Sequence, residues 1–315
     1  MNISIIIPLL NENDSLNELS TSICEVMHAY SFSYELIFID DGSNDKSWET
    51  IEKLSDKNNF IKGIKFQRNY GKSQALHAGF LKSKGKVIFT MDADLQDDPK
   101  EIPEMYDMII NQDYDLVSGW KKRRFDSILF KNIPSKIFNL AARITSGIRL
   151  NDFNCGLKAY KNEVVKTINV YGEMHRYIPI LAKNEGFKRI GQKIVNHKPR
   201  KYGKTKYGPN RFLHGFLDLL TIWFISSFGK RPMHLFGSIG LILILIGLSF
   251  AIYLGYDKLI LNTSGRLITE RPEFYISLTT MIIGSQLFSM GFIGELMLKN
   301  INKKPQYIIQ KKINL

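Results

Sequence analysis

Short apolar runs and amphipathic stretches alternate along the N-terminal part of the chain. Ile3 to Leu10 is short, β-branched and closed by Pro8 and Asn11, the pattern of a buried strand. Asp14 or Ser15 offers a cap for a helix running to about Tyr30. Tyr34 to Ile39 reads as a second strand, followed by the acidic turn Asp40-Asp41-Gly42-Ser43-Asn44-Asp45, whose last residues suit the cap of another helix. Ile61 to Phe66 is a third strand, Lys86 to Met91 a fourth and Asp115 to Ser118 a fifth, with a helix from Gly71 to about Ser83. This alternation predicts an α/β fold with a mostly parallel, doubly wound sheet, in which ligands bind at the carboxyl ends of the strands. Further along, Glu173 to Pro179 begins a helix and Lys188 to Asn196 is an edge-like strand.

The C-terminal pattern is different. Arg211 to Phe228 keeps polar residues at 211, 214, 218 and 221 among Phe, Leu, Ile and Trp, which predicts an amphipathic helix suited to a membrane interface. Leu235 to Tyr256 carries no charge, nor does Phe274 to Gly294, and each is long enough to span a bilayer core. The predicted spans are about 235–256 and 274–296. Lys230 and Arg231 precede this hairpin, and Lys299, Lys303, Lys304, Lys311 and Lys312 follow it. The connecting loop balances Lys258, Arg266 and Arg271 against Asp257, Glu270 and Glu273. The basic excess outside the hairpin predicts that both termini are cytosolic.

The 43 basic and 30 acidic residues give a net charge of +13, which favours an anionic partner: nucleic acid, a phosphorylated substrate or a lipid surface. With only two cysteines, Cys24 and Cys155, neither a disulfide framework nor a paired-cysteine zinc motif is expected, and a reducing compartment fits. The N-terminus has no basic segment followed by a long apolar one, so no signal peptide is expected.

The chemistry converges on Phe89-Thr90-Met91-Asp92-Ala93-Asp94-Leu95-Gln96-Asp97-Asp98-Pro99. An apolar strand delivers a cluster of carboxylates to its end. Asp92 and Asp94 share one side of an extended segment and suit a hard divalent cation, Mg²⁺ or Mn²⁺, held by few carboxylates plus substrate phosphates. The alternative is an acidic turn capping a helix that starts near Pro99. The first turn, Pro8-Leu9-Leu10-Asn11-Glu12, has no glycine-rich phosphate loop, which argues against a dinucleotide fold or a Walker nucleotidase.

Four motifs in order then resemble family 2 glycosyltransferases of the GT-A fold, and more closely their polyprenyl-phosphate branch of dolichyl-phosphate mannose synthases and bactoprenol glucosyltransferases. They are Ile7-Pro8-Leu9-Leu10-Asn11-Glu12, Ile39-Asp40-Asp41-Gly42-Ser43, Arg68-Asn69-Tyr70-Gly71-Lys72 and Asp92-Ala93-Asp94-Leu95-Gln96. The resemblance implies that Pro8, Glu12 and Asp41 line a nucleoside pocket. It implies that Asp92 contacts the ribose–phosphate side, and that Asp94 with Gln96 holds the metal on the diphosphate. Such an ion stabilises the charge that develops on a leaving nucleoside diphosphate.

Gly119-Trp120-Lys121-Lys122-Arg123-Arg124 offers contacts to the donor diphosphate or to lipid phosphate. The mannose synthase pattern has an arginine where Lys121 stands, and lysine presents a point charge in place of a planar fork. Ile128 to Ile144 shows helical apolar spacing interrupted by Lys131, Lys136 and Arg143, as in a helix lying on a membrane surface. Asn151 to Lys158 resembles the family's acceptor-side loop. The expected acceptor is a phosphate monoester with second pKa about 6, already ionised at neutral pH. Asp152 is therefore expected to position the acceptor and not to deprotonate it. Cys155 reads as a small buried hydrophobe. His175 reads as a structural partner, and Arg176 as the better anion contact. His197 to Gly208 resembles the family's mobile phosphate loop, with Arg200 and Lys206 at its two basic positions and glycines that permit closure.

The expected organisation is a cytosolic GT-A domain over 1–210, an interface helix over 211–232, a transmembrane hairpin over 233–298 and a basic cytosolic tail over 299–315. The expected activity is inverting, metal-dependent transfer of a sugar from a nucleotide sugar to undecaprenyl or another polyprenyl phosphate at the inner face of the plasma membrane. UDP is expected ahead of GDP, with homo-oligomers permitted by the pattern. A processive polysaccharide synthase is disfavoured because the chain has no Gln-x-x-Arg-Trp motif and only two spans. An inactive membrane scaffold is disfavoured by the intact Asp92, Asp94 and Gln96. Nucleic acid is disfavoured because the basic residues flank membrane helices.

Overall fold

The computed structural model describes residues 1–122, 133–170, 172, 174–199, 201, 202, 224, 231–300, 307 and 309–314. Arg200, Lys206, Arg123, Arg124 and most of the 211–228 segment, all singled out above, lie outside the described residues. The chain divides into two compact units, Met1–Trp223 with Lys304–Leu315, and Phe224–Lys303.

The first unit is built on an eight-stranded mixed sheet. Its strands are β1 (Ile3–Leu9), β2 (Tyr34–Asp40), β3 (Ile61–Phe66), β4 (Val87–Thr90), β5 (Leu116–Trp120), β6 (Lys158–Lys161), β7 (Ile190–Ile194) and β8 (Ile309–Ile313). Its helices are α1 (Asn13–Ala29), α2 (Ser47–Lys57), α3 (Lys72–Lys82), α4 (Ile102–Ile110), α5 (Ile133–Ser146), α6 (Asn162–Thr167) and α7 (Ile178–Asn184). The strand order is β7-β5-β6-β4-β1-β2-β3-β8. Strands β4, β1, β2 and β3 run parallel, as the helix–strand alternation requires.

Helices cover both faces, which is why the central strands are buried along nearly their whole length. Ile3, Ile5 and Ile7 pack with Leu16, Leu19 and Trp48 on one side. Ile6, Ile37 and Ile39 pack with Ala75, Leu76 and Phe80 on the other. The fit of α3 is close: a Cβ on Gly79 would come within 2.4 Å of Ile6.

Two strands lie outside the sequence expectation. β6 runs antiparallel between β4 and β5. It has four residues and begins and ends in lysine, so no apolar run marks it. β8 comes from the tail, treated above as a basic extension, and pairs antiparallel with the edge strand β3. Tyr307, just before it, stacks on Phe66 with ring centroids 4.7 Å apart. The strand covers an edge that would otherwise present unpaired backbone groups.

In α5, Asn139 is buried and its amide oxygen accepts from the Phe153 N–H at 3.1 Å. Leu140 and Ile144, one turn apart, are 51% and 73% exposed.

The second unit contains α8 (Pro232–Tyr256), continued by a π-helical turn Asp257–Leu261, and α9 (Pro272–Asn300). Both are long and apolar enough to cross a membrane. They touch through glycines: a Cβ on Gly240 would lie 2.6 Å from the Gly284 carbonyl oxygen, and one on Gly284 would lie 2.7 Å from that of Gly240. Ser277 donates to the Gly247 carbonyl at 2.7 Å. Such small residues let helices approach closely where lipid offers no hydrophobic drive to pack. At one end of the pair Arg271 meets Asp257 at 2.5 Å.

Candidate active site

Register brings the carboxyl ends of β1, β2 and β4 together. Pro8 lies opposite Ile39, and the Asp41 N–H donates to the Leu9 carbonyl at 2.9 Å. The Met91 N–H donates to the Ile6 carbonyl at 3.1 Å, which carries the acidic segment past the end of β1. Pro8, Asp41 and Asp92 therefore stand along one edge.

Asp41 is buried and accepts from the Tyr70 and Gly71 N–H groups at 2.7 and 2.9 Å. It thus ties the turn after β2 to the Arg68–Lys72 motif. Burial pushes its carboxyl up to about 6 despite these bonds. Gly42 sits at φ +78, and a Cβ there would lie 2.5 Å from the Arg68 carbonyl carbon, so both conformation and space require glycine. On the other side of the turn, Asn11 and Glu12 donate backbone N–H groups to Ser43 and Ser47 at 2.9 and 3.0 Å. Three of the four motifs are thereby joined.

The acidic segment is sorted by its partners. Asp92 is met by the Lys72 ammonium at 2.5 Å. Burial raises the Asp92 carboxyl, but Lys72, Lys121 and Lys158 more than offset this and hold it at about 2. Asp94 has the opposite balance. Burial together with the charges of Asp92 and Asp97 pushes its carboxyl up to about 6. Asp97 is bridged to His197 through the backbone and pairs with Lys121 at 2.8 Å. Asp98 accepts from the Lys100 N–H at 3.2 Å, and so caps the turn at Pro99, and meets Lys198 at 2.9 Å. The Gln96 amide nitrogen donates to the Lys198 carbonyl at 3.4 Å, which leaves its amide oxygen for another partner.

Asp94 and Gln96 fit a hard divalent cation. Both offer oxygen, and the crowding of like charge that raises Asp94 is what a cation relieves. Two protein ligands suit an ion that shares its shell with phosphates and water.

Next to this edge lies a shallow cleft. Asp92 lines it, with Lys72, Asn154, Lys158, His175 and Arg176, whereas Asp94 and Gln96 do not. His175 is fixed by Ser73: its backbone N–H donates to the hydroxyl at 2.9 Å, and its Nδ1 lies 3.2 Å from the same oxygen. Burial, then Lys72, Arg176 and Lys158, push its pKa well below the usual range, so the ring is neutral at neutral pH. Gly156 makes room for Asp92, since a Cβ there would lie 2.4 Å from Oδ2.

The residues expected from sequence fall into three groups. Pro8, Asp41, Asp92, Asp94 and Gln96 gather at the sheet edge, with Glu12 in the adjoining turn. Lys121 is not among the residues that line the cleft and pairs with Asp97. Asp152 is 1% exposed and is not among the residues that line the cleft. Its carboxylate accepts from the Asn154 N–H at 3.0 Å and shapes the loop whose residues 154–156 line the cleft. Cys155 is buried, and burial pushes its thiol up to about 12, which suits a packing role and not a nucleophile. Lys158 is the functional candidate that sequence reasoning missed. It closes the Asn151–Lys158 stretch, but the sequence reading gave it no role of its own.

The family model described as glycosyl transferase family 2 matches residues 4–168. Dodecaprenyl-phosphate galacturonate synthase of Rhizobium johnstonii is 35% identical over 99% of this chain and 93% of its own length. The undecaprenyl-phosphate 4-deoxy-4-formamido-L-arabinose transferase of Pseudomonas syringae is 32% identical over 98% and 90%. Among solved structures, glucosyl-3-phosphoglycerate synthase of Mycobacterium tuberculosis with Mn²⁺, UDP and glucosyl-3-phosphoglycerate superposes with a TM-score of 0.56 at 15% identity, covering 71% of this chain and 79% of that one. That likeness establishes the GT-A type of sheet. The family match together with end-to-end identity to these relatives shows that the chain belongs to glycosyl transferase family 2.

Proposed function

We propose that the protein transfers a glycosyl group from a nucleotide sugar, UDP-linked ahead of GDP-linked, to undecaprenyl phosphate or another polyprenyl phosphate, with inversion, at the cytosolic face of the membrane. The observation that carries this is the division of the site at Asp92. On one side stand Asp94 and Gln96, an oxygen donor set, and on the other a cleft to which Lys72, Lys158 and Arg176 contribute. Relatives similar over nearly the whole chain are named for transfer to polyprenyl phosphates, which supports the acceptor.

In this reading the nucleoside lies over Pro8, Glu12 and Asp41, and Asp92 with Lys72 orients the ribose–phosphate end. Mg²⁺ or Mn²⁺ held by Asp94 and Gln96 would neutralise the diphosphate as it leaves. An oxygen of the lipid phosphate attacks the anomeric carbon, and the electron pair of the breaking C–O bond leaves with the nucleoside diphosphate. The monoester is ionised at neutral pH, so no residue need remove a proton. Asp152 then serves by holding the 154–156 loop, and His175 by fixing α3 against the cleft wall. Lys121 is assigned to offsetting the Asp97 charge beside Asp94. Arg200 and Lys206, outside the described residues, are assigned to contact with the diphosphate.

The hairpin and its basic flanks support an anchor with the catalytic unit and both termini in the cytosol. The exposed Leu140 and Ile144 stripe on α5 suits contact with a lipid surface. Anchoring confines the enzyme to the surface that carries its lipid acceptor. The testing experiment supplies purified full-length protein, undecaprenyl phosphate and Mn²⁺ or Mg²⁺ with a panel of UDP- and GDP-sugars. A lipid-phosphate sugar from one donor is the expected result. Nucleotide release without lipid product would discard the acceptor, and no reaction with any donor would discard the activity.

A further inference from the structure

We infer that Tyr307, in the tail beyond the hairpin, is a positioning residue of the donor site and holds the turn whose backbone fixes Asp41. The inference rests on the transferase reading above, in which Asp41 lines the nucleoside pocket, and goes beyond it by bringing the tail into that site.

The turn comprises residues 67–71, between β3 and α3. Its Tyr70 and Gly71 N–H groups hold the buried Asp41 carboxylate at 2.7 and 2.9 Å, and no other hydrogen bond reaches that carboxylate among the described residues. The turn itself is exposed at residues 67–69, and Gly71 sits at φ +95. An exposed turn with few buried contacts opens easily unless its ends are held.

Tyr307 meets both ends. Its ring stacks on Phe66, the last residue of β3, with centroids 4.7 Å apart and planes 23° from parallel. Phe66 is fully buried and also takes the Tyr70 ring edge-on at 5.7 Å, so it joins the tail to the turn. Beyond the turn, His77 of α3 meets Tyr307 edge-on at 6.5 Å. Burial lowers the His77 pKa, and its buried Nδ1 has no hydrogen bond among the described residues, so the ring packs as a neutral aromatic. Without the Tyr307 ring, Phe66 and Tyr70 gain room to shift and to draw the Tyr70 N–H away from Asp41.

Covering a sheet edge does not account for this placement. β8 pairs with β3 through residues 309–313, and Tyr307 lies before that ladder. The far end of the strand is pinned separately, by Asn314, which donates to the Ser55 hydroxyl at 2.6 Å and to the Ile61 carbonyl at 3.2 Å.

The test measures calorimetric binding of UDP and of GDP to detergent-solubilised full-length protein with Mn²⁺, followed by transfer kinetics with undecaprenyl phosphate and the donor that turns over. Tyr307→Ala should weaken binding of the preferred nucleotide about fivefold, the scale of one aromatic pair. Donor KM should rise in step, with kcat and the KM for undecaprenyl phosphate close to wild type. Tyr307→Phe keeps the stack and should restore binding. Asn314→Ala loosens only the far end and should leave nucleotide binding unchanged. Unchanged nucleotide affinity in Tyr307→Ala would overturn the inference, even if Tm falls, because the tail would then serve stability alone. An equal loss in Tyr307→Phe or in Asn314→Ala would overturn it too, as would a parallel rise in the KM of donor and acceptor. If Tyr307→Ala does not fold, Tyr307→Leu, which keeps apolar bulk without the stack, is judged by the same outcomes. Nucleotide binding by the wild type that no variant alters overturns the inference alone. Failure of the wild type to bind either nucleotide overturns the donor site and the inference together, and nucleotide binding without lipid product overturns the acceptor alone.

Discussion

The Lys121 ammonium lies 2.8 Å from the Asp97 carboxylate, whose side chain is fully buried while that of Lys121 is 12% exposed. The pair holds the end of the acidic segment against the start of the loop after β5. Lys121→Met would strand a buried carboxylate, at a cost of about 3–5 kcal/mol. Thermal unfolding should show a clear drop in Tm for Lys121→Met, with part of it recovered in Lys121→Met/Asp97→Asn. A single variant as stable as wild type would mean that solvent already screens the pair.

Asp94→Asn removes a carboxyl raised to about 6 by burial and by Asp92 and Asp97. Stability should hold or rise, since like charges are relieved. Transfer should fall at least about a hundredfold, because metal-assisted charge stabilisation is worth several kcal/mol. Titration of Mn²⁺ in the presence of UDP should show weaker binding. Wild-type turnover by Asp94→Asn would remove the metal assignment.

Gly156→Ala tests the wall behind Asp92. The added methyl carbon would lie 2.4 Å from Asp92 Oδ2, while Lys72 holds the other oxygen at 2.5 Å. We expect a folded protein with a displaced carboxylate, a raised KM for donor and at least about tenfold lower kcat/KM, the loss expected from misplacing a positioning group. Unchanged kinetics would show that the cleft relaxes freely.

Glu35 sets part of the acid stability. It is fully buried and bonded to Lys62 at 2.6 Å, to Ser4 at 2.5 Å and to the Lys84 N–H at 2.6 Å. Burial raises its carboxyl, but these partners more than offset it, so the folded pKa lies below the ordinary value. The unfolded chain then binds the proton more tightly. The stabilisation is present above the unfolded value of about 4.3 and is lost as pH falls through the lower folded value. Glu35→Gln should flatten the acid limb of a Tm-against-pH curve. An acid limb of unchanged slope would assign it to other carboxylates.

Gly284→Leu should part α8 from α9, whose backbones meet there. Lower Tm and faster proteolysis of the hairpin are expected, with UDP binding by the catalytic unit retained. Wild-type protease resistance would count against the close packing.

The sequence by itself determined the α/β alternation, the acidic strand end and the two apolar spans. These follow from local periodicity and from chemistry held within a few residues. Pro8, Asp41, Asp92 and Asp94 were legible because each ends an apolar run, and such runs end at one edge of a parallel sheet. What tertiary structure decided is who meets whom. Lys121 faces Asp97 and Asp152 shapes a loop, although both sit in stretches that read as ligand contacts. Lys158 becomes part of the cleft only because β6 inserts antiparallel beside β4, from nearly seventy residues further along the chain. β8 closes the β3 edge from the far side of the hairpin, a pairing that no window of sequence contains. Periodicity reports which face of an element is buried. The identity of a buried charge's partner is set by strand order, and strand order is a property of the whole fold.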